Sequence, residues 1–174
     1  MKEERKRPLK TITSLVIIVV LAYIISFFVT QYLIASIPIL GQSMEPNIHE
    51  GDRVIVYRLA EVERGDVVIF YSDFDSKYLV KRVIGLAGDT IEVKYEDGSN
   101  YVFRNGEKLT EPYINESIDY TQDAVVIGDG QFYYLGDNRN HSADSHYGNL
   151  GDMEQIVGVA FLRINIKCFE LSFI

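Results

Sequence analysis

Three short segments hold the residues of this chain that can do nucleophilic or acid–base chemistry. Gly41-Gln42-Ser43-Met44-Glu45-Pro46 sets a serine in a turn. Gly41 permits a backbone shape that other residues resist, and Pro46 restrains the chain just after it. A serine becomes a nucleophile when a base takes its proton and donors stabilise the oxyanion that follows. Tyr78-Leu79-Val80-Lys81-Arg82-Val83-Ile84 offers the base. With a strand period of two, Leu79, Lys81 and Val83 share one face and Arg82 points to the other. If that face is buried, desolvation lowers the lysine pKa toward the range a general base needs; if it is solvated, Lys81 is an ordinary cation. Periodicity leaves both readings open. The third segment, Gly136 through Gly148, follows the apolar run Phe132–Leu135 and carries Asn138, Arg139, His141, Ser142, Asp144, Ser145 and His146. It reads either as an exposed polar loop or as one ordered by its own side chains. His141 and His146, with only His49 besides and no cysteine nearby, do not make a metal site. A Ser43/His141/Asp144 triad is a formal alternative to Lys81.

The elements that must position these groups begin with an apolar stretch. No Asp, Glu, Lys or Arg occurs from Thr11 to Met44. The run Ile12–Ile34 matches the roughly 20 residues that cross the hydrocarbon of a bilayer. A cleaved secretory signal, cut near Ala35-Ser36, is the alternative, but its apolar region is typically about 7–15 residues. Lys2, Arg5, Lys6, Arg7 and Lys10 stand against only Glu3 and Glu4 in the first ten residues, while the whole chain is −8. That bias predicts a cytoplasmic basic tail over 1–10, a single transmembrane anchor over 11–34 and an extracytoplasmic domain over 35–174. The link Ala35–Leu40, with Pro38, leaves little slack before Ser43. The acidic balance beyond the anchor argues against a nucleic-acid partner, which needs clustered Lys or Arg. Cys168 is the only cysteine; no intramolecular disulfide can form, and it reads as a small packing residue in a late strand.

Strand signals rich in Val, Ile, Tyr and Phe recur at Arg53–Tyr57, Val67–Tyr71, Tyr78–Ile84, Thr90–Tyr95, Tyr101–Arg104, Gln131–Leu135 and Val157–Ile164. Gly51-Asp52, Gly65-Asp66, Gly88-Asp89, Asp97-Gly98, Asn105-Gly106 and Gly136-Asp137 separate them as turns. No stretch after residue 40 holds a 3.6 period. The expected fold is therefore mostly β, an all-β domain behind one helix in lipid. From about 91 to 130 the sequence turns polar and hairpin-like, as an excursion from the main sheet.

Taken together, the three segments resemble bacterial type I signal peptidases, membrane-bound Ser/Lys proteases, and the resemblance runs the length of the chain. Ser43-Met44-Glu45-Pro46 is similar to the family's Ser-Met-x-Pro box, and Gly51-Asp52-Arg53-Val54-Ile55-Val56 to the strand that follows it. Lys81-Arg82-Val83-Ile84-Gly85-Leu86-Ala87-Gly88-Asp89 is similar to its lysine box, and Gly136-Asp137-Asn138-Arg139 with Ser142-Ala143-Asp144-Ser145 to its last box. The resemblance implies Ser43 as nucleophile, Lys81 as general base, Ser142 orienting the lysine amine and Asp144 shaping the last loop. It also implies a catalytic core of strands with a small β-rich insertion, here about 87–133, and no cofactor or metal. Its substrates would be the signal peptides of exported preproteins, with small residues at the first and third positions before the cut, met at the lipid bilayer.

The chain departs from the family pattern at three places, Asn47, Ala87 and His146, and at Gly41 it follows many Gram-positive-type members. Asn47 stands where a threonine is common, and Ala87 where the lysine box has proline. His146 replaces an arginine that would pair with Asp144. Gly41 stands where some members carry a hydroxyl residue that assists the oxyanion, so backbone donors must suffice. Lys81 itself sets the chain with the Ser/Lys branch, because the eukaryotic and sporulation-type branch has histidine there. Two other readings remain at this level: a relative dedicated to particular substrates such as pilins, and a non-catalytic anchored β-domain that binds peptide strands at a sheet edge.

Overall fold

The computed structural model describes residues 6–165, 168 and 170–174; of the basic tail expected over 1–10, residues 1–5 lie outside them. The chain divides into two units, Met1–Ala35 and Ser36–Ile174. In the first, helix α1 (Lys6–Phe28) runs into a π-helical turn, Val29–Leu33. Thr11–Leu33, 23 residues, is long and apolar enough to cross a membrane. At about 1.5 Å per residue it spans roughly 34 Å, against a hydrocarbon layer of roughly 30 Å. Val19, Tyr23 and Ile25 are among its many exposed apolar side chains, and a helix apolar all round suits lipid as its solvent.

The second unit is built of strands, as the alternation of Val, Ile, Tyr and Phe with Gly-Asp turns predicts. In chain order they are β1 (Ile34–Pro38), β2 (Arg53–Tyr57), β3 (Val67–Ser72), β4 (Lys77–Leu86), β5 (Thr90–Glu96), β6 (Ser99–Arg104), β7 (Glu107–Lys108), β8 (Gln122–Val126), β9 (Gln131–Leu135), β10 (Gly151–Asp152), β11 (Ile156–Asn165) and β12 (Glu170–Phe173). The larger sheet has the order β1-β2-β11-β3-β4-β9-β10, with β12 on β11; a second sheet has the order β7-β6-β5-β8. Two expectations need correction. The link expected at Ala35–Leu40 is largely strand, because an edge position tolerates Pro38, whose missing N–H is not needed by a neighbour. Cys168 is an exposed turn residue rather than a packed one; β11 ends at Asn165, whose Oδ1 accepts from the Cys168 N–H at 3.2 Å.

Strand β4 is the element that matters most for the site. On one face Leu79 and Val83 pack with Val68, Phe70, Phe132 and Tyr134. On the other, Ile84 joins Tyr133 and Leu135 beneath Ile91, Val93 and Val102 of the second sheet. From Leu79 to Gly85 the strand is largely buried, and that stretch carries Lys81 and Arg82 side by side.

Candidate active site

The turn at Ser43 is held from outside as much as from within. Gly41 has φ +89° with open space where a Cβ would stand, so glycine is required there by conformation and not by crowding. Within the turn, the Glu45 N–H donates to Gln42 O at 3.1 Å and the Ile48 N–H to Met44 O at 2.9 Å. The loop after β9 grips the outside. Asn138 donates its N–H to Ser43 O at 3.0 Å and its Nδ2 to Gln42 O at 3.1 Å. Met44 is buried and Ser43 half-buried, so a core residue pins the turn while the serine faces a cavity.

Lys81 pairs in register with Val68 of β3, between Leu79 and Val83 on the same face. It is only 3% exposed, which decides between the two readings its strand left open. Its Nζ donates to Ser142 Oγ at 2.7 Å. Burial pushes the Lys81 ammonium down to about 8, against the opposing pull of the Asp144 charge. Lys81 and Ser43 both line a cavity of about 650 Å³, together with Ile37, Leu40, Ile69, Leu79 and Ala143. An apolar cleft with an amine that loses its proton near neutral pH is suited to taking a proton from a hydroxyl.

The loop from Gly136 to Gly148 is ordered by its own side chains. Asp144 accepts from the Gly136 N–H at 2.9 Å, and its other oxygen lies 2.5 Å from His146 Nδ1. His146 stacks on Tyr120, centroids 4.2 Å apart. Ser145 Oγ accepts from the Tyr134 N–H at 3.0 Å. His141 borders the same cavity as Ser43, but its ring is 72% exposed and its Nδ1 lies 3.8 Å from Glu116 Oε1. Asp144 therefore serves Gly136 and His146, and the histidine triad is not assembled.

Gly136 is where the segments meet most closely. A Cβ there would overlap Ser142 Oγ and the carbonyl oxygen of Ser43. Gly136→Ala should therefore push Ser142 off Lys81 and the serine turn off the loop. We expect a loss of stability of about 1–3 kcal/mol and at least about tenfold lower turnover. Thermal melts and peptide cleavage check this, and parental values for both would remove Gly136 from the site.

Sequence reasoning places Asp137 and Arg139 in the last box without giving either a partner, and it does not single out Glu111 or Tyr113 at all. Asp137 is fully buried and takes two hydrogen bonds from Arg82, at 2.8 and 2.7 Å. Arg139, also fully buried, pairs with Glu111 at 2.7 and 3.0 Å. Tyr113 lies under Arg82, 4.2 Å from guanidinium to ring centroid. The available signal was Arg82 within an apolar strand, which demands a buried anion, but nothing in the sequence says which of 25 acidic residues supplies it.

This fold and cleft belong to a peptidase family. The family described as Signal peptidase, peptidase S26 matches residues 10–165. The chain belongs to that family. Signal peptidase IB of Staphylococcus aureus (strain COL) is 34% identical, over 88% of this chain and 90% of the relative. Signal peptidase I of Bacillus licheniformis is 36% identical, over 86% and 84% respectively. A crystal structure of a signal peptidase I from Enterococcus faecalis V583 aligns with 57% of this chain and 97% of its own, at 28% identity and a TM-score of 0.45.

Proposed function

We propose that this chain is a membrane-anchored serine endopeptidase that cleaves signal peptides from exported preproteins. The observation that carries the reading is the buried Lys81 amine, 2.7 Å from Ser142 Oγ and open to the cavity that Ser43 lines. Family membership and relatives whose names are signal peptidase I and IB support the substrate class. In this mechanism neutral Lys81 takes the Ser43 proton as Oγ attacks the scissile carbonyl. Backbone donors at the turn stabilise the oxyanion, and the Lys81 ammonium then protonates the leaving amine. Water hydrolyses the acyl-enzyme with Lys81 again as base. Ser142 orients the amine; Asp144, with His146 beside it, keeps the loop in shape around Gly136.

Residues 1–10 are assigned to the cytoplasmic side, 11–34 to the anchor and 35–174 to the outer face, with about 87–133 as an insertion in the catalytic domain. The basic start of the chain supports that orientation. A signal peptide's apolar segment ends at the surface from which the link 35–42 leads to Ser43, so tethering raises the local concentration of both reactants. A chain beginning at Ala35 should therefore keep its Ser43-dependent cleavage of soluble peptide. On membrane-inserted preprotein it should fall by about 10²-fold or more. Equal loss on both substrates would make the segment part of the active site instead of a tether. Incubating the detergent-solubilised chain with a labelled preprotein, beside Ser43→Ala, tests the reading itself. Binding of peptide without any cleavage would favour the non-catalytic β-domain.

A further inference from the structure

We propose that Asn47 is a positioning residue that holds the Ser43 turn in register with the strand bearing Lys81. The inference rests on the roles of Ser43 and Lys81 given above. Asn47 closes the serine turn: its N–H donates to Met44 O at 3.1 Å, and its carbonyl accepts from Arg163 Nη1 of β11 at 2.6 Å. Its side-chain amide then reaches away from the turn in two directions. Nδ2 donates to Asp137 Oδ2 at 2.8 Å and to Tyr113 O at 2.7 Å. Asp137 Oδ2 is the same oxygen that accepts from Arg82 Nη2 at 2.7 Å, and Arg82 is the residue after Lys81.

One amide group thus ties together the nucleophile turn, the loop after β9, the β4 strand and the segment between β7 and β8. The bonds to Asp137 are charge-assisted and, on the Arg82 side, bidentate, so they fix distance and direction as well as contributing energy. Tyr113 gives the bridge a second footing, because its carbonyl takes the Asn47 amide while its ring lies under Arg82. Asn47 is not among the residues that line the cavity. Its effect on substrate is therefore indirect, through the placement of Ser43 relative to Lys81. A displacement of about 1 Å between reacting groups costs on the order of 10²-fold in rate, so loosening the bridge lowers kcat while leaving KM nearly unchanged.

Asn47→Val and Asn47→Thr test this in the full-length, detergent-solubilised chain with a soluble signal-peptide substrate. The two side chains have the same shape and differ by one hydroxyl that can donate to Asp137. We expect Asn47→Val to lower kcat about tenfold or more, with KM within about twofold. Asn47→Thr should recover to within about threefold of the parent. The apparent pKa of the rate profile should stay where the parent has it, since Lys81 and Ser142 are untouched. Asn47→Asp, which sets a second carboxylate against Asp137, should lose more than Asn47→Val. If Asn47→Val fails to fold, Asn47→Ala and Asn47→Ser give the same comparison of no hydroxyl against one. Equal kcat for the paired variants, or a loss confined to KM, overturns the proposal. Ser43→Ala runs alongside: residual cleavage there would remove the nucleophile assignment and this inference with it. A dead Ser43→Ala beside a parent-like Asn47→Val would remove the inference alone.

Discussion

Ser43→Ala should fold, melt within a few degrees of the parent and cleave preprotein at least about a thousandfold more slowly. The argument has a structural half and a chemical half. The serine hydroxyl faces the cavity, so its loss opens no void in the core. The contacts that shape the turn use backbone atoms that alanine keeps, among them the Ser43 carbonyl bonded to Asn138 and the Gln42 carbonyl bonded to Glu45. Met44 and Ile48 remain buried beneath it. Chemically, the proposed mechanism forms the acyl-enzyme on Ser43 Oγ, and removal of a nucleophile that works as one unit with its base costs about as much as removal of the whole set. Cleavage of labelled preprotein by the purified variant, with its melting curve, decides the matter. A rate within tenfold of the parent would make Ser43 a turn residue and nothing more.

Lys81 carries the second large effect, and it can be read in two independent ways. With its pKa held at about 8 by burial, the neutral amine is scarce below that pH. kcat/KM should rise about tenfold per pH unit up to about 8 and level off above it. Lys81→Arg should be nearly inactive at every pH, since guanidinium does not lose its proton in the working range. The stability readout uses Lys81→Met. Because the folded pKa lies below the ordinary lysine value of 10.5, the unfolded chain binds more protons between about 8 and 10.5. The contribution of Lys81 to stability is therefore complete above 10.5 and is lost as pH falls through 8. Near pH 7 the parent holds a buried cation at a net cost of about 3 kcal/mol. The advantage of Lys81→Met over the parent should be largest at pH 7 and shrink by about that amount by pH 10.5. Denaturant titrations of both proteins at the two pH values measure it. A pH-independent difference, together with a flat rate profile, would take Lys81 out of the mechanism.

Much of this molecule was legible in one dimension. Strands such as β2 and β9 follow from Val, Ile, Tyr and Phe between Gly-Asp turns, because local propensity, period and turn chemistry agree there. The strands that escaped notice, β1, β7, β8, β10 and β12, are short or lie at sheet edges, where pairing partners decide the backbone and the side chains carry little pattern. The apolar helix was legible because an uncharged run of that length has few other uses.

For the site, the sequence by itself determined which residue types were on offer, a serine in a Gly–Pro turn, a lysine between Leu79 and Val83, and a polar loop with Ser142 and Asp144. It could not decide whether Lys81 is wet or dry, since a period of two assigns a residue to a face and does not say what covers that face. Tertiary structure decided it by setting Lys81 on the face where Leu79 and Val83 pack with Val68, Phe70, Phe132 and Tyr134 of the flanking strands, which leaves it 3% exposed. The same holds for Arg82 and Asp137, 55 positions apart, and for Asn47 and Asp137, 90 apart. Burying a charge demands a partner, but which partner depends on the pairing of β4 with β9 and on the path of the loop that follows. Those are long-range arrangements, set by the burial of whole sheets and not by the residues that end up in contact.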